Sequence, residues 1–368
     1  MVMRVNLHQA KELAIFYIQL GLLPMLHGSF GVGKSSVAQE IADEFNLLLI
    51  DKRLAQCDPT DLQGFPDKAN GRSTYLPPED IPLEGDPLPI KYPAIKKGQI
   101  MLYGPKIGTP ADKDYPAVFY DGWLLFMDEI NSADEEVQAA SYKITLDRKV
   151  GQKKVHSACA MLAAGNLETD GAIVNDMSSA LKTRLVHIII SNDLPVFQKW
   201  ASKNGIDSRI TSFLNYKPTY LHDIPEQNDD PTYSCNRTWE FANRVMKNME
   251  FDNPLFIAAL SGCISHPKAM ELKAHVEVFS KLPEYSKILA DADLIDIPHD
   301  MSTLWAMLGS IGDKAQKADM DQLMKFVTRL PKEHQVVLML DIGAKNRSCM
   351  SATAANRWCQ ANANVIMD

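Results

Sequence analysis

The chain has 368 residues, a net charge of −8, and 46% hydrophobic against 23% charged residues. That length exceeds one ordinary core and calls for two or three domains, and the composition is that of a globular protein. The acidic charge argues against a surface that coats nucleic acid, and no apolar run nears the ~20 residues needed to cross a bilayer.

The first residues, Met1-Val2-Met3-Arg4-Val5-Asn6, lack a signal peptide's apolar region, which predicts a cytoplasmic protein. The six cysteines (Cys57, Cys159, Cys235, Cys263, Cys349, Cys359) show no Cys-x-x-Cys pair and read as reduced thiols. Helical spacing of Leu7, Ala10, Leu13, Ala14, Tyr17 and Ile18 predicts a helix to about Leu20, capped by Asn6.

An apolar strand follows at Leu22–Leu26, and then Gly28-Ser29-Phe30-Gly31-Val32-Gly33-Lys34-Ser35 spells a complete phosphate-binding loop. The glycines let successive N–H groups curl inward toward a triphosphate, and a helix over Ser35–Phe45 offers the positive end of its dipole. Gly28 through Ser35, with Ser36, form the expected nucleotide-binding set. Lys34 is expected to reach the β- and γ-phosphates of ATP, and the Ser35 hydroxyl to bind Mg²⁺. A glycine-rich turn that binds nothing is the alternative.

Further strands are expected at Leu47–Ile50, Trp123–Met127, Ala158–Ala164 and Leu185–Ile190, separated by helical patterns. Short continuous apolar runs of this kind suit parallel strands covered on both faces, hence an α/β sandwich with a parallel sheet. Between Gly64 and Pro116 lie ten of the 21 prolines. Proline removes ladder donors, so this window reads as a partly ordered surface insertion packed by Phe65, Tyr75, Leu76, Ile81, Tyr92, Ile95 and Tyr103.

Strand Trp123–Met127 runs into Asp128-Glu129, two carboxylates at the sheet's carboxyl edge, where ligands of such sheets sit. Asp128 is expected to hold Mg²⁺, and Glu129 to orient and polarise the water that attacks the γ-phosphate. The plainer alternative is helix capping, with Ser132 and Glu135 as a capping box. The next strand ends in Gly165-Asn166, whose amide can bond both that water and the γ-phosphate, or simply form a turn.

Ser178–Leu185 reads as a helix end that runs into the last strand. Arg184 there suits a neighbouring subunit's nucleotide, or else caps its own helix C-terminus. Pro225–Tyr233 reads as a linker or long loop. Beyond it the chain becomes helical, and Val336–Leu340 reads as part of a buried helix. Arg237, in Asn236-Arg237-Thr238-Trp239-Glu240, could report nucleotide across a cleft or be an ordinary surface residue at a helix start.

Together these motifs resemble the AAA+ ATPases, specifically the MoxR-like branch with its RavA and CbbQ/NorQ groups. The resemblance rests on Asp128-Glu129-Ile130-Asn131-Ser132-Ala133-Asp134-Glu135-Glu136-Val137-Gln138-Ala139-Ala140. Arg53 to Gly64 and the hairpin segment Arg148 to Val155 support it, and it spans about Asn6 to Lys247. It implies Walker A at Lys34 and Ser35, Walker B at Asp128 and Glu129, sensor 1 at Asn166, an arginine finger at Arg184 and sensor 2 at Arg237. The finger segment reads Lys-Thr-Arg-Leu where many relatives have Asp-Arg-Phe.

The implied organisation is a nucleotide-binding core over 1–192 with the insertion at about 64–116. A helical lid over 193–250 and a helical region over 251–368 follow. The implied activity is Mg²⁺-dependent ATP hydrolysis by a hexameric ring that remodels a protein client, often one with a von Willebrand factor A domain, here on a separate chain. A nucleic-acid motor or clamp-loader-like switch is the alternative, supported by the basic hairpin Arg148, Lys149, Lys153 and Lys154. A small-molecule kinase needs fewer of these parts.

Overall fold

The computed structural model describes residues 3–69, 71–92, 116–167, 175, 177–224 and 231–362. They fall into two compact units, Met1–Asn192 and Asp193–Asp368.

In the first unit the strands are β1 (Arg4–Val5), β2 (Pro24–His27), β3 (Leu47–Arg53), β4 (Phe65–Ala69), β5 (Arg72–Leu76), β6 (Ile90–Tyr92), β7 (Val118–Phe119), β8 (Gly122–Asp128), β9 (Lys149–Val150), β10 (Lys153–Lys154), β11 (Cys159–Gly165) and β12 (Val186–Ile190). Six of them form one parallel sheet in the order β1-β12-β2-β11-β8-β3. The helices of this unit are α1 (Leu7–Gln19), α2 (Lys34–Glu44), α3 (Thr60–Gln63), α4 (Glu135–Tyr142) and α5 (Ser179–Lys182).

Period-two alternation sends the sheet's side chains to two separate cores. Leu26, Leu124, Phe126, Leu162, Ala164 and Ile188 pack beneath Ala10 and Ala14 of α1 and Val37 and Ile41 of α2. Met25, Leu125, Met127, Met161 and Ala163 pack on the opposite face against Leu62, Val137, Ala140 and Leu181. Both faces are therefore covered, which is why every residue of β8 is buried. The result is a three-layer αβα core about a parallel sheet, the P-loop architecture. Of the six strands in this sheet, β1 is the one the sequence pattern misses, because two residues carry no periodicity. At the other end of that turn, Asn6 and Gln9 form a reciprocal capping box on α1.

The proline-rich window contributes a two-stranded hairpin, β4 with β5, and the pair β6 with β7, both outside the main sheet. Its expected packing residues divide. Ile81 is buried at 1% exposure, and Lys52 of β3 holds Asp80 at 2.7 Å. Phe65 and Leu76, however, are each 62% exposed. They face each other across the hairpin, and a two-stranded ribbon has one face that nothing else covers. Ile95 and Tyr103 lie outside the described residues, as do 225–230 of the expected linker.

The second unit is helical: α6 (Leu194–Lys203), α7 (Ser208–Tyr216), α8 (Asn236–Asn248), α9 (Phe256–Ile264), α10 (His266–Phe279), α11 (Tyr285–Ala290), α12 (Met301–Lys314), α13 (Met320–Val327), α14 (Lys332–Lys345) and α15 (Thr353–Ala361). Phe197, Phe213, Trp239, Leu260 and Leu272 centre one core cluster, and Met307, Ile311, Phe326, Leu338 and Trp358 another. Val336–Leu340 lies inside α14, with Leu338 and Met339 buried. Among the described residues no helix is long and apolar enough to cross a membrane.

Candidate nucleotide site

The loop between β2 and α2 is held by glycine where other residues would fail. Gly33, the N-cap of α2, has φ +111°, and a Cβ there would lie 2.9 Å from Leu7 Cδ2. Gly31 also has positive φ, at +67°. Phe30 is half-buried and Val32 fully buried, while Ser29 is buried at the base of the loop. Ser35 and Ser36 occupy the open first turn of α2, whose leading N–H groups have no partner within the helix.

Lys34 turns back over this loop. Its ammonium, 8% exposed, donates to Gly28 O at 2.7 Å, to Ser29 O at 3.2 Å and to Asn166 Oδ1 at 2.9 Å. The Ser35 hydroxyl donates to Asp128 Oδ2 across 3.4 Å. The parallel register sets these carboxyl ends side by side: β8 ends at Asp128 and β11 at Gly165, with β2 leading into Gly28. Residues from three distant stretches thus meet at one sheet edge.

Asp128 is buried, and its Oδ1 accepts from the Glu129 N–H at 2.9 Å. Glu129 takes φ +56° and carries the chain out of the sheet plane into a 3₁₀ turn, Ile130–Ser132. The Ser132–Glu135 capping box does not form. Ser132 N–H closes the turn on Glu129 O at 2.9 Å, and Asp134 is the N-cap of α4 without a side-chain bond.

A hydroxyl and a carboxylate are hard oxygen donors suited to Mg²⁺. Together with a loop that only glycine can form and a buried lysine, these residues fit a metal-bound triphosphate. Among the described residues there is no cluster of three or more His, Cys, Asp or Glu side chains of the kind that holds a metal by protein ligands alone.

Arg184 follows α5. It is half-buried, donates from Nη1 to Ala180 O at 2.8 Å and lies 5.1 Å over the Tyr142 ring, so it contacts its own helix end. Its Nε is buried without a hydrogen-bond partner among the described residues. Arg237, on the first turn of α8 in the second unit, is exposed.

Three residues that the pattern did not single out stand at the site. Asp51 of β3 lies near Asp128. Burial first, and the Asp128 charge second, hold its carboxyl above the usual range against the opposing pull of Arg53. His27, the last residue of β2, shares a 2.7 Å hydrogen bond with His187. Burial, His187 and Lys34 together push His27 down to about 4. The other ring nitrogen of His187 lies 2.8 Å from Lys182 O, two residues before Arg184. Asn131, third, bonds the backbone of Asn166.

The hairpin of β9 and β10 forms as a two-stranded ribbon, but it is less basic than its sequence. Arg148 turns inward to the carbonyls of His156 and Cys159, and Lys154 approaches Glu84 at 4.0 Å.

No family model matches the chain, and no curated protein matches it. Among solved structures it is similar to the Thermotoga maritima RuvB Holliday junction branch migration motor, at 13% identity and TM-score 0.33. That match covers 79% of this chain and 76% of that one. It is also similar to NtrX from Brucella abortus in complex with ATP, at 14% identity and TM-score 0.30, covering 98% of this chain and 69% of that one. Likeness this distant leaves the function to be read from the site itself.

Proposed function

We propose that this chain is a Mg²⁺-dependent ATPase of the AAA+ class, MoxR-like in type, working as one subunit of a ring. The observation that carries the reading is the convergence at one sheet edge of two pairs, Lys34 with Asn166 and Ser35 with Asp128, each within hydrogen-bond reach. A lone glycine-rich turn has no need of a carboxylate and an amide brought to it from two other strands.

Lys34 and the N–H groups of the loop bind the β- and γ-phosphates, and Ser35 with Asp128 holds Mg²⁺. The bound Mg²⁺ neutralises charge on the phosphate oxygens. Glu129, next to the metal-binding carboxylate, orients and polarises the attacking water, and Asn166 aligns it. Arg184 is supplied to the neighbouring subunit's nucleotide, where an arginine in trans is worth ~10³–10⁵ in rate. Arg237 senses the bound nucleotide. Turnover then drives work on a protein client carried by a separate chain. The inward turn of Arg148 weakens the nucleic-acid motor reading by removing one charge from the hairpin.

The test is phosphate release from Mg-ATP together with molar mass by light scattering, with and without a slowly hydrolysed ATP analogue. A nucleotide-dependent shift to a closed oligomer, with activity rising steeply with protein concentration, is expected. A chain that stays monomeric and hydrolyses ATP at full rate overturns the ring. A phosphorylated metabolite in place of free phosphate overturns the ATPase.

A further inference from the structure

We propose that Asn131 is a positioning residue that sets Asn166 relative to the acidic turn; the proposal rests on the ATPase reading above. Its carboxamide grips both backbone groups of Asn166: Nδ2 donates to Asn166 O at 2.8 Å, and Oδ1 accepts the Asn166 N–H at 3.1 Å.

The register explains why a side chain is needed there. Ala163 pairs with Met127, so a continued β8 would bring Ile130 opposite Asn166. Instead Glu129 leaves the sheet with its positive φ, and the β8 side of Asn166 loses its ladder partner. The Asn131 side chain supplies a peptide-like donor and acceptor in place of the missing strand, at 4% exposure. Gly165 makes the approach feasible, since a Cβ there would lie 2.4 Å from Asn131 Oδ1. The Asn131 carbonyl in turn accepts from the Asn175 N–H at 2.8 Å, and Asn175 Nδ2 donates to Ala133 O at 3.0 Å. Asn131 is thus fixed on one side and fixes Asn166 on the other.

The side chain held this way is the one that meets Lys34 at 2.9 Å. Asn131 therefore ties two parts of the site together: the turn that presents Glu129 and the amide that faces the γ-phosphate. Displacing a reacting group by about 1 Å can cost ~100-fold in rate, whereas affinity for the β-phosphate and base depends on other contacts.

The experiment measures kcat, the Kd of a fluorescent ATP analogue and melting temperature for Asn131→Ala, Asn166→Ala and the double variant. The nearly isosteric Asn131→Asp is added because it keeps the acceptor for the Asn166 N–H but sets a carboxylate oxygen against the Asn166 carbonyl in place of the donor. The expected result is a kcat loss of about 100-fold for Asn131→Ala with Kd changed less than about threefold, and a comparable kcat loss for Asn131→Asp, whose carboxylate repels the Asn166 carbonyl. The double variant should be no slower than Asn166→Ala alone. Multiplying losses in the double variant would mean that Asn131 does not act through Asn166. Equal losses of Kd and melting temperature in both Asn131 variants would make its role structural. Two controls separate this proposal from the ATPase reading: if the unaltered chain releases no phosphate from Mg-ATP the ATPase reading fails, whatever Asn131 does, and if Glu129→Gln turns over normally Glu129 is not the group that orients the water.

Discussion

The ammonium nitrogen of Lys34 lies 2.9 Å from Oδ1 of Asn166, joining the phosphate loop to the end of β11. In the chain as it stands this amide and two loop carbonyls satisfy the ammonium. An arriving triphosphate would share those donors. Two charge-assisted bonds at ~1.5–3 kcal/mol each are at stake. Lys34→Ala should therefore weaken ATP binding by about 100-fold or more, as measured by titration calorimetry. Unchanged affinity would take Lys34 out of the site.

The Ser35–Asp128 pair predicts the metal dependence. Asp128→Asn keeps the hydrogen-bond acceptor for Ser35 but loses the charge that favours Mg²⁺. The Mg²⁺ concentration giving half-maximal hydrolysis should rise about tenfold or more. Ser35→Ala should act in the same direction. An unchanged Mg²⁺ titration in both would place the metal elsewhere.

Glu129 combines a proposed catalytic role with backbone strain. A non-glycine residue at φ +56° costs about 1 kcal/mol. Glu129→Gly should therefore raise the calorimetric melting temperature by about 2–4 °C while stopping hydrolysis, and Glu129→Gln should stop hydrolysis without that gain. Matching melting temperatures for the two variants would remove the strain argument.

Much of this site was legible because its parts are local words: a glycine loop, an acidic strand end, an amide after glycine. The strands were legible because both faces of the sheet are covered, so each reads as an apolar run. What stayed hidden depends on pairing across the sheet. Asn131 matters only because β8 stops short of Asn166, a fact of register. The coupling of His27 to His187 needs β2 and β12 to be neighbours. Phe65 and Leu76 are the opposite case: as apolar residues they suggest packing, but a lone hairpin leaves them outside.

Arg184 makes a prediction about assembly. In the single chain its guanidinium is bound to Ala180 O and stacked over Tyr142. Serving a neighbour means giving up one hydrogen bond and one cation–π contact, about 1–2 kcal/mol together. Tyr142→Leu should therefore raise hydrolysis at limiting protein concentration severalfold, whereas Arg184→Ala should abolish hydrolysis and leave ATP affinity within about twofold. Full activity in Arg184→Ala would show that no arginine is supplied in trans.

Two histidines, His275 buried and His27 half-buried, set how stability should depend on pH. His275 in α10 lies between the Ser212 and Ser302 hydroxyls, 2.9 Å from each, and burial pushes it down to about 4. His27 in the first unit is likewise held at about 4. A histidine unfolded titrates near 6.5, so between pH 6.5 and 4 the unfolded chain binds more protons than the folded one. Stability then rises with pH across that window; it is fully present above about 6.5 and lost as pH falls toward 4. His275→Gln keeps a donor and an acceptor for the two serines but cannot titrate. It should flatten the pH dependence of unfolding of the helical unit between pH 6.5 and 4 while leaving its stability at pH 8 within about 1 kcal/mol. His27→Gln should do the same for the first unit. An unaltered pH slope in both variants would mean that neither ring is held neutral.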